Sequence, residues 1–178
     1  EGESLYALVK RLGSLSMKTA AEIGIQVCRL IQFMNTADNP ILYLDLQPKN
    51  LLVCNGAVRL IDFDHAQYAE DVTAFGERYG TIGFAAPEQY RGEPLDCRTD
   101  VYAIGALLYY MCRGEPPGNG FCLGDRSGTW ELDRIIRGCM AAEKDGRYQN
   151  AGKVEQALCE LKTVLSEKHA IESLTIVF

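Results

Sequence analysis

Apolar residues recur every three or four positions over much of the chain, a spacing typical of amphipathic helices. The clearest case follows Ser16, a residue suited to cap a helix N-terminus, and runs to about Asn35. A shorter pattern between Ser4 and Leu12 stops at Gly13, which tolerates the backbone of a helix end. Further helices are predicted from Thr99, as N-cap, to Gly114, and over residues 130–140 and 150–168.

Strand-like patterns are short. Apolar runs at 51–53 and 58–61 flank Asn55-Gly56, a pair that suits the positive-φ positions of a tight turn, and they predict a β-hairpin. The last five residues, Leu-Thr-Ile-Val-Phe at 174–178, are also typical of a strand. From 64 to about 90 the periodicity disappears and glycine and proline are frequent, which predicts a long functional loop. The fold class is therefore mainly α with one small hairpin.

The amino-acid composition disfavours nucleic-acid-binding and membrane-spanning proteins. The chain has 178 residues, of which 47% are hydrophobic and 24% charged, enough for one globular domain. A net charge of -6 disfavours nucleic acid as a partner, since binding to a phosphate backbone needs clustered lysine and arginine. No apolar run reaches the roughly 18 residues needed to cross a bilayer. Neither a membrane span nor a nucleic-acid surface is expected.

The cysteines indicate a reducing compartment. There are seven, an odd number, with no Cys-x-x-Cys pair, so we expect free thiols and a cytoplasmic location. The chain begins without methionine and ends on an apolar run, and we expect it to be part of a longer protein with further chain on both sides.

Three polar side chains are candidates for chemistry. Asp45 and Asn50 lie in a polar loop before the predicted hairpin, and Asp62 lies just after it, so the hairpin brings them together. Carboxylate and amide oxygens suit Mg²⁺, which completes its coordination with water and phosphate oxygens, so a nucleotide is the expected companion. Taken singly, each residue is better explained by an ordinary turn-forming role.

Together these residues resemble the protein kinase family. The catalytic loop of that family, His-Arg-Asp-Leu-Lys-Pro-x-Asn, is matched at residues 43–50 by Tyr-Leu-Asp-Leu-Gln-Pro-Lys-Asn, and its Asp-Phe-Gly motif by Asp-Phe-Asp at 62–64. The resemblance implies that Asp45 is the catalytic base, with Gln47 and Asn50 beside it. It also implies that Asn50 and Asp62 hold Mg²⁺ and ATP.

The resemblance continues downstream. Residues 80–88, Gly-Thr-Ile-Gly-Phe-Ala-Ala-Pro-Glu, are similar to the peptide-positioning loop and Ala-Pro-Glu motif of the family, with Thr81 next to the substrate. Glu88 would form a buried, bidentate ion pair with Arg147, and Asp100 would tie its helix to the catalytic loop. The implied fold is the C-terminal lobe of a bacterial-type serine/threonine kinase over residues 1–170, followed by a tail at 171–178. The N-terminal lobe, with its phosphate-clamping loop, is absent.

Three positions depart from the family pattern. Leu44 replaces an arginine that meets a phosphorylated activation loop, so Thr73, Tyr79 and Thr81 are not expected to act as phospho-switches through it. Gln47 replaces a lysine that contacts the γ-phosphate. Losing that charge should weaken transition-state stabilisation by about 1 to 2 kcal/mol or more. Asp64 replaces a glycine, and it would bind metal, stiffen the loop or cap a turn.

Three functions remain open. The first is phosphoryl transfer from ATP to serine or threonine hydroxyls of a protein substrate, with the isolated chain inactive. The second is a pseudokinase, a binding module whose substituted loop no longer transfers phosphate. The third is a small-molecule phosphotransferase of the aminoglycoside or choline kinase type, which the run Ile-Asp-Phe-Asp at 61–64 also resembles. The stretch 80–88 together with Asp100 and Arg147 favours a protein kinase over the third.

Overall fold

The structure is a computed structural model that describes residues 2–72, 80–118, 121–124 and 130–175, with side chains described as far as 167. Helices of this part are α1 (Leu5–Leu12), α2 (Met17–Asn35), α3 (Pro87–Arg91), α4 (Cys97–Arg113), α5 (Trp130–Cys139) and α6 (Ala151–Thr175). Its strands are β1 (Glu3–Ser4), β2 (Ile41–Leu42), β3 (Leu51–Cys54), β4 (Ala57–Leu60) and β5 (Gln67–Tyr68), with 3₁₀ turns at Pro48–Asn50 and Lys144–Gly146. The predicted mainly helical class is confirmed.

The first two helices begin and end where their sequence signals predict. Ser4 and Ser16 cap α1 and α2, each accepting a hydrogen bond from the backbone N–H three residues on. Gly13 ends α1 with a positive φ of 79°, a conformation that costs a glycine little. The apolar face of α2 is buried along its length, with Ile31 fully inaccessible.

The core lies where α2, α4 and α6 pack together, with α5 against the far side of α4. Gly24 of α2 allows this close approach, because a Cβ there would lie 2.8 Å from Leu108 of α4 and 3.0 Å from Leu158 of α6. Replacing Gly24 by alanine would therefore force two core leucines apart. This helical body supports the small sheet and the loops on one side of it.

The predicted hairpin is confirmed as β3 and β4, paired antiparallel from Leu51↔Leu60 to Cys54↔Ala57. Asn55 and Gly56 both have positive φ, 50° and 79°, as expected for a two-residue turn that follows the strand twist. The two-residue strand β1 pairs with β3, and β2 pairs with β5. Neither pairing was expected from the sequence.

The N-cap of α4 is Asp96, so the prediction that Thr99 caps this helix was wrong. Asp96 accepts a hydrogen bond from the Arg98 amide, and Thr99 lies in the first turn, where its hydroxyl accepts from the Asp96 amide. The two residues form a reciprocal capping box, with Thr99 three positions after the cap. At the other end the predicted Gly114 stop is confirmed, with a left-handed backbone.

The chain end also differs from expectation. Leu174 and Thr175 continue helix α6 instead of starting a strand, while 176–178 lie outside the described residues. In the part of the chain that the structure describes, no helix has the length and apolar character needed to cross a membrane. All seven cysteines are free thiols, of which Cys28 and Cys139 are buried and Cys122 is exposed.

Replacing Asp96 by asparagine should make the free energy of unfolding depend less on pH in the acidic range. Burial raises the pKa of Asp96, but hydrogen bonds from Arg98 and its amide and from Lys144 outweigh it and hold the pKa well below the usual range. The carboxylate therefore stabilises the fold above the ordinary aspartate pKa of about 4, and that contribution is lost as the pH falls further. Asparagine caps helices equally well, so the change isolates the charge. Urea unfolding should show that the protein with Asp96 has the larger free energy of unfolding at pH 7. This advantage over the variant should be smaller at pH 3.

Asp145 supplies the control, because it pairs with the same arginine at 2.6 Å but its side chain is 96% exposed. Asp145→Asn should change stability little at either pH, since exposed ion pairs contribute at most about 1 kcal/mol. A pH-independent effect of Asp96→Asn would contradict the assigned role of its charge.

Candidate active site

A polar loop between β2 and the hairpin is anchored from beneath by Asp100 on α4. Its carboxylate accepts the backbone N–H of Tyr43 at 3.0 Å and of Leu44 at 2.9 Å. Asp100 is almost inaccessible to solvent, and burial raises its pKa although these bonds oppose the rise. The predicted tie between this helix and the loop is confirmed. Leu44 adopts a positive φ of 64°, unusual for a residue with a Cβ, which the two anchoring bonds help to maintain.

Asp45, the next residue, is nearly buried and lies at the centre of a hydrogen-bond cluster. Its Oδ2 accepts from the side-chain amides of Gln47 and Asn50, both at 2.8 Å, and its Oδ1 accepts from the Thr81 hydroxyl, also at 2.8 Å. The structure thus brings together four of the predicted site residues. A carboxylate has about four lone-pair positions, so these bonds leave one on Oδ1 for a further donor.

Asp62 follows strand β4 and is held close to this cluster through the backbone. The N–H of Ile61 donates to the carbonyl of Asn50 at 3.0 Å, and the hydroxyl of Tyr43 donates to the carbonyl of Ile61. Asp62 itself has a positive φ of 64° and is exposed. Aspartate tolerates this backbone better than most residues with a Cβ, so position 62 accepts it at modest cost.

The carboxylates near Tyr43 create a strongly negative environment. The pKa of the Tyr43 hydroxyl is raised well above its usual range, first by burial and then by the charges of Asp45, Asp62 and Asp100. The tyrosine therefore remains a neutral donor and can keep its bond to the chain beside Asp62. Its ring also packs edge-on against Phe63, with centroids 5.4 Å apart.

A magnesium ion fits the donor set at Asn50 and Asp62. Asn50 bonds to Asp45 through its amide nitrogen, so its amide oxygen is left for a cation. Asp62 supplies an exposed carboxylate, and Mg²⁺ needs only one or two such ligands beside water and phosphate. Among the described residues, no group of three or more histidine, cysteine, aspartate or glutamate side chains forms an all-protein metal cage.

The predicted ion pair between Glu88 and Arg147 is confirmed, and it is buried and bidentate. Arg147 donates from its two terminal nitrogens to the two oxygens of Glu88 at 2.6 and 2.8 Å, and both side chains are at most 2% exposed. The remaining N–H groups of Arg147 donate to the carbonyls of Arg98, Ala141 and Ala142, so all five are used. The pair joins α3, the start of α4 and the turn before α6.

Glu88 remains charged in this position. Burial alone would raise its pKa, but hydrogen bonds from Arg147, from its own amide and from Thr99 outweigh it, and the pKa is held below the ordinary value. The Thr99 hydroxyl donates to Glu88 at 3.0 Å in addition to accepting the Asp96 amide in the capping box. A charged, fully bonded carboxylate of this kind stabilises the fold only while both partners are present.

Gln89 belongs to the site although the sequence did not indicate it. Its side-chain nitrogen donates to the carbonyl of Leu44 at 2.9 Å, and its side-chain oxygen accepts from the amide of Ala86. This buried side-chain amide links α3 to the loop at residues 43–50. The sequence signal for this role was a glutamine at the third position of the helix, directly after Pro87 and Glu88. A capping box uses the side chain at that position.

Comparison with known proteins supports the same assignment. The family profile described as "Protein kinase domain" matches residues 1–173. The chain belongs to the protein kinase family. The serine/threonine-protein kinase PknB of Mycolicibacterium smegmatis is 30% identical over 89% of this chain and 28% of its own length. A probable serine/threonine-protein kinase of Corynebacterium efficiens is 37% identical over 86% of the chain and 27% of its own length. The chain thus spans little more than a quarter of the curated relatives it matches.

The chain departs from the family pattern at three positions whose surroundings explain how the fold tolerates them. Leu44 is buried, with its amide and carbonyl both bonded, so it serves the loop through its backbone. Gln47 bonds Asp45 directly. Asp64 has a negative φ, so a residue with a Cβ is not strained there, and its amide makes a long 3.4 Å bond to Asp62. Thr73 and Tyr79, which are not expected to act as phospho-switches through position 44, lie outside the described residues.

Proposed function

We propose that the chain is the C-terminal lobe of a serine/threonine protein kinase and supplies the catalytic loop, the Mg²⁺-binding aspartate and the peptide-binding surface. The observation that carries this is the cluster at Asp45, where three donors leave one acceptor position on a nearly buried carboxylate. A substrate hydroxyl fits that position as a donor. Asp45 would then align the hydroxyl and accept its proton as the oxygen attacks the terminal phosphate of ATP.

The other predicted residues have assigned parts in this scheme. Asn50 and Asp62 would hold Mg²⁺, which on binding neutralises charge on the phosphates. Thr81 would position the substrate beside Asp45, and Gln47 would orient the Asp45 carboxylate as a neutral donor. Asp100, Glu88 and Arg147 would act as supports that fix the loop and the segment carrying Thr81. Residues 1–170 would form the lobe and 171–178 a following tail.

Exposed apolar side chains next to Asp62 support a missing partner lobe. Phe63 is 52% exposed and Ile61 37% exposed, although the same ring of Phe63 packs on the buried Tyr43. A second lobe covering this side would bury them and complete the nucleotide cleft. The glycine-rich phosphate loop and the strand lysine, which the family carries on that lobe, have no counterpart in this sequence.

The isolated chain should therefore bind Mg-ATP only weakly. Calorimetric titration should give a dissociation constant well above the micromolar range, because half of the cleft is lacking. The matched titration uses the full-length protein that carries this chain, for which tighter binding is expected. A micromolar or tighter constant for the isolated chain would contradict the division of the cleft between two lobes.

Phosphoryl transfer is tested with the full-length protein, radiolabelled ATP and a mixture of protein substrates. Label on serine or threonine, dependent on Mg²⁺, is the expected result. Label confined to tyrosine, or to a small hydroxylated compound, would contradict the proposed acceptor class.

A pseudokinase function is the second candidate, favoured by Gln47. A neutral amide occupies the position of a cationic phosphate contact, and it is already committed to Asp45. Nucleotide binding without transfer in the full-length protein would support this function over the first.

A further inference from the structure

A groove of about 420 Å³ opens directly beside Asp45. Its lining includes Gln47 and Thr81, both of which donate hydrogen bonds to the Asp45 carboxylate. A chain segment that presents a hydroxyl to Asp45 would therefore lie against Gln47 and Thr81, which belong to this groove. The side chains that line it will contact the residues on either side of that hydroxyl.

One end of the groove carries two lysines gathered around one aromatic ring. Lys10 projects from α1 and Lys49 from the 3₁₀ turn after Gln47, and their ammonium nitrogens lie 5.7 and 5.6 Å from the centroid of Tyr6. The ring face stabilises each cation. Both lysines and Tyr6 are exposed, so the two charges are accessible from the groove.

Within the described part of the chain, these two charges lack a partner. Among the described residues, neither ammonium lies within 4.0 Å of a carboxylate, whereas Arg11, their neighbour on α1, is paired with Glu3 at 2.7 Å. The lining contains one acid, Glu115, against the two lysines. A positive lining is thus found next to the reacting residue of a chain whose net charge is -6. Two like charges held together without a counterion favour an anionic ligand.

Part of the lining is apolar. Ile82, directly after Thr81, is 85% exposed, and Phe84 and Pro116 lie beside it. An exposed branched side chain next to a reactive residue offers contact area to a bound peptide but no charge discrimination. The lysine pair is therefore the part of the groove that distinguishes one peptide from another by charge.

We propose that this groove selects acidic protein segments, and that Lys10 and Lys49 are specificity-determining residues that contact carboxylates near the serine or threonine. The proposal rests on the proposed function for the identity of the hydroxyl. The charge selection itself follows from the unpaired lysines and can be measured as binding. The occupant is an extended peptide carrying aspartate or glutamate.

The test uses the full-length protein and three fluorescent peptides of one sequence around a serine, with glutamate, glutamine or lysine at the flanking positions. Anisotropy titration without ATP should show the glutamate peptide binding about three- to ten-fold more tightly than the glutamine peptide, since each exposed ion pair contributes modestly. The difference should shrink at high salt because exposed charges are screened. Equal affinities for the three peptides would overturn the proposal.

Charge-reversal variants test whether Lys10 and Lys49 cause the peptide preference. Lys10→Glu combined with Lys49→Glu should invert the order, so that the lysine peptide binds best. Lys153→Glu, on α6 and outside this groove, should leave the order unchanged. If the double variant has an altered melting curve, the milder Lys10→Gln with Lys49→Gln variant should make the three affinities equal. Retention of the original order in a folded double variant would overturn the proposal.

Failure of the two proposals can be told apart. Preferential binding of the glutamate peptide without its phosphorylation would refute the proposed kinase activity and leave the groove specificity in place. Phosphorylation of all three peptides with equal affinities would support the kinase activity and refute the specificity.

Discussion

Replacing Arg147 by alanine should destabilise the protein by about 3 to 5 kcal/mol, because it leaves the Glu88 carboxylate buried without its counterion. The change also leaves the carbonyls of Arg98, Ala141 and Ala142 without a donor. Arg147→Lys should be nearly as damaging, since an ammonium cannot reproduce five directed N–H groups in a plane. The free energy of unfolding measured in urea at pH 7 is the readout.

Arg29 provides a matched control. It also pairs with a glutamate, Glu155, at 2.7 Å, but its side chain is 63% exposed. Arg29→Ala should therefore cost less than about 1 kcal/mol. Similar losses for Arg147→Ala and Arg29→Ala would show that burial does not determine the strength of the pair.

Asp45→Asn and Asp62→Asn should each abolish most phosphoryl transfer in the full-length protein, but for different reasons. Asp45→Asn removes the proton acceptor and should lower kcat by about 10²- to 10⁴-fold with Mg-nucleotide affinity nearly intact. Asp62→Asn removes a metal ligand, so it should weaken nucleotide binding most at limiting Mg²⁺. Steady-state kinetics and nucleotide titration over a range of Mg²⁺ concentrations separate the two effects.

Asp38→Asn serves as a control for both variants, because Asp38 is an exposed aspartate in the turn between α2 and β2. It should change neither kcat nor nucleotide affinity. Equal nucleotide affinity of the Asp45 and Asp62 variants at limiting Mg²⁺ would contradict the roles proposed for them.

The helices and the hairpin could be predicted because their signals are local. The apolar spacing in α2 and the Asn55-Gly56 turn each depend on neighbours within a few positions, and both were confirmed. The strands β1, β2 and β5 have two residues each, too few to show alternation. They form only because the chain fold places a partner beside them, and such pairing has no local signature.

The contacts of the site likewise divide into those that the sequence predicted and those that it did not. The position of the hairpin predicted that Asp45 and Asn50 would lie together, and the resemblance to protein kinases implied that Glu88 would meet Arg147; the contacts confirm both. The role of Gln89 was not predicted, because its partner is the backbone carbonyl of Leu44. Every residue has such a carbonyl, so the residue type at position 44 does not indicate the bond. The strained backbone at Leu44 was missed for a similar reason, since the contacts that maintain it come from distant elements.

The ion pair between Glu88 and Arg147 also sets an order for folding during synthesis. The two residues are 59 positions apart, and α6, which completes the core against α2, lies still further along the chain. A growing chain that has released α3 and α4 from the ribosome carries the Glu88 carboxylate without its partner. The segment with Thr81 therefore gains this anchor only after the turn at Arg147 has emerged, and the last third of the chain completes the site begun by the first.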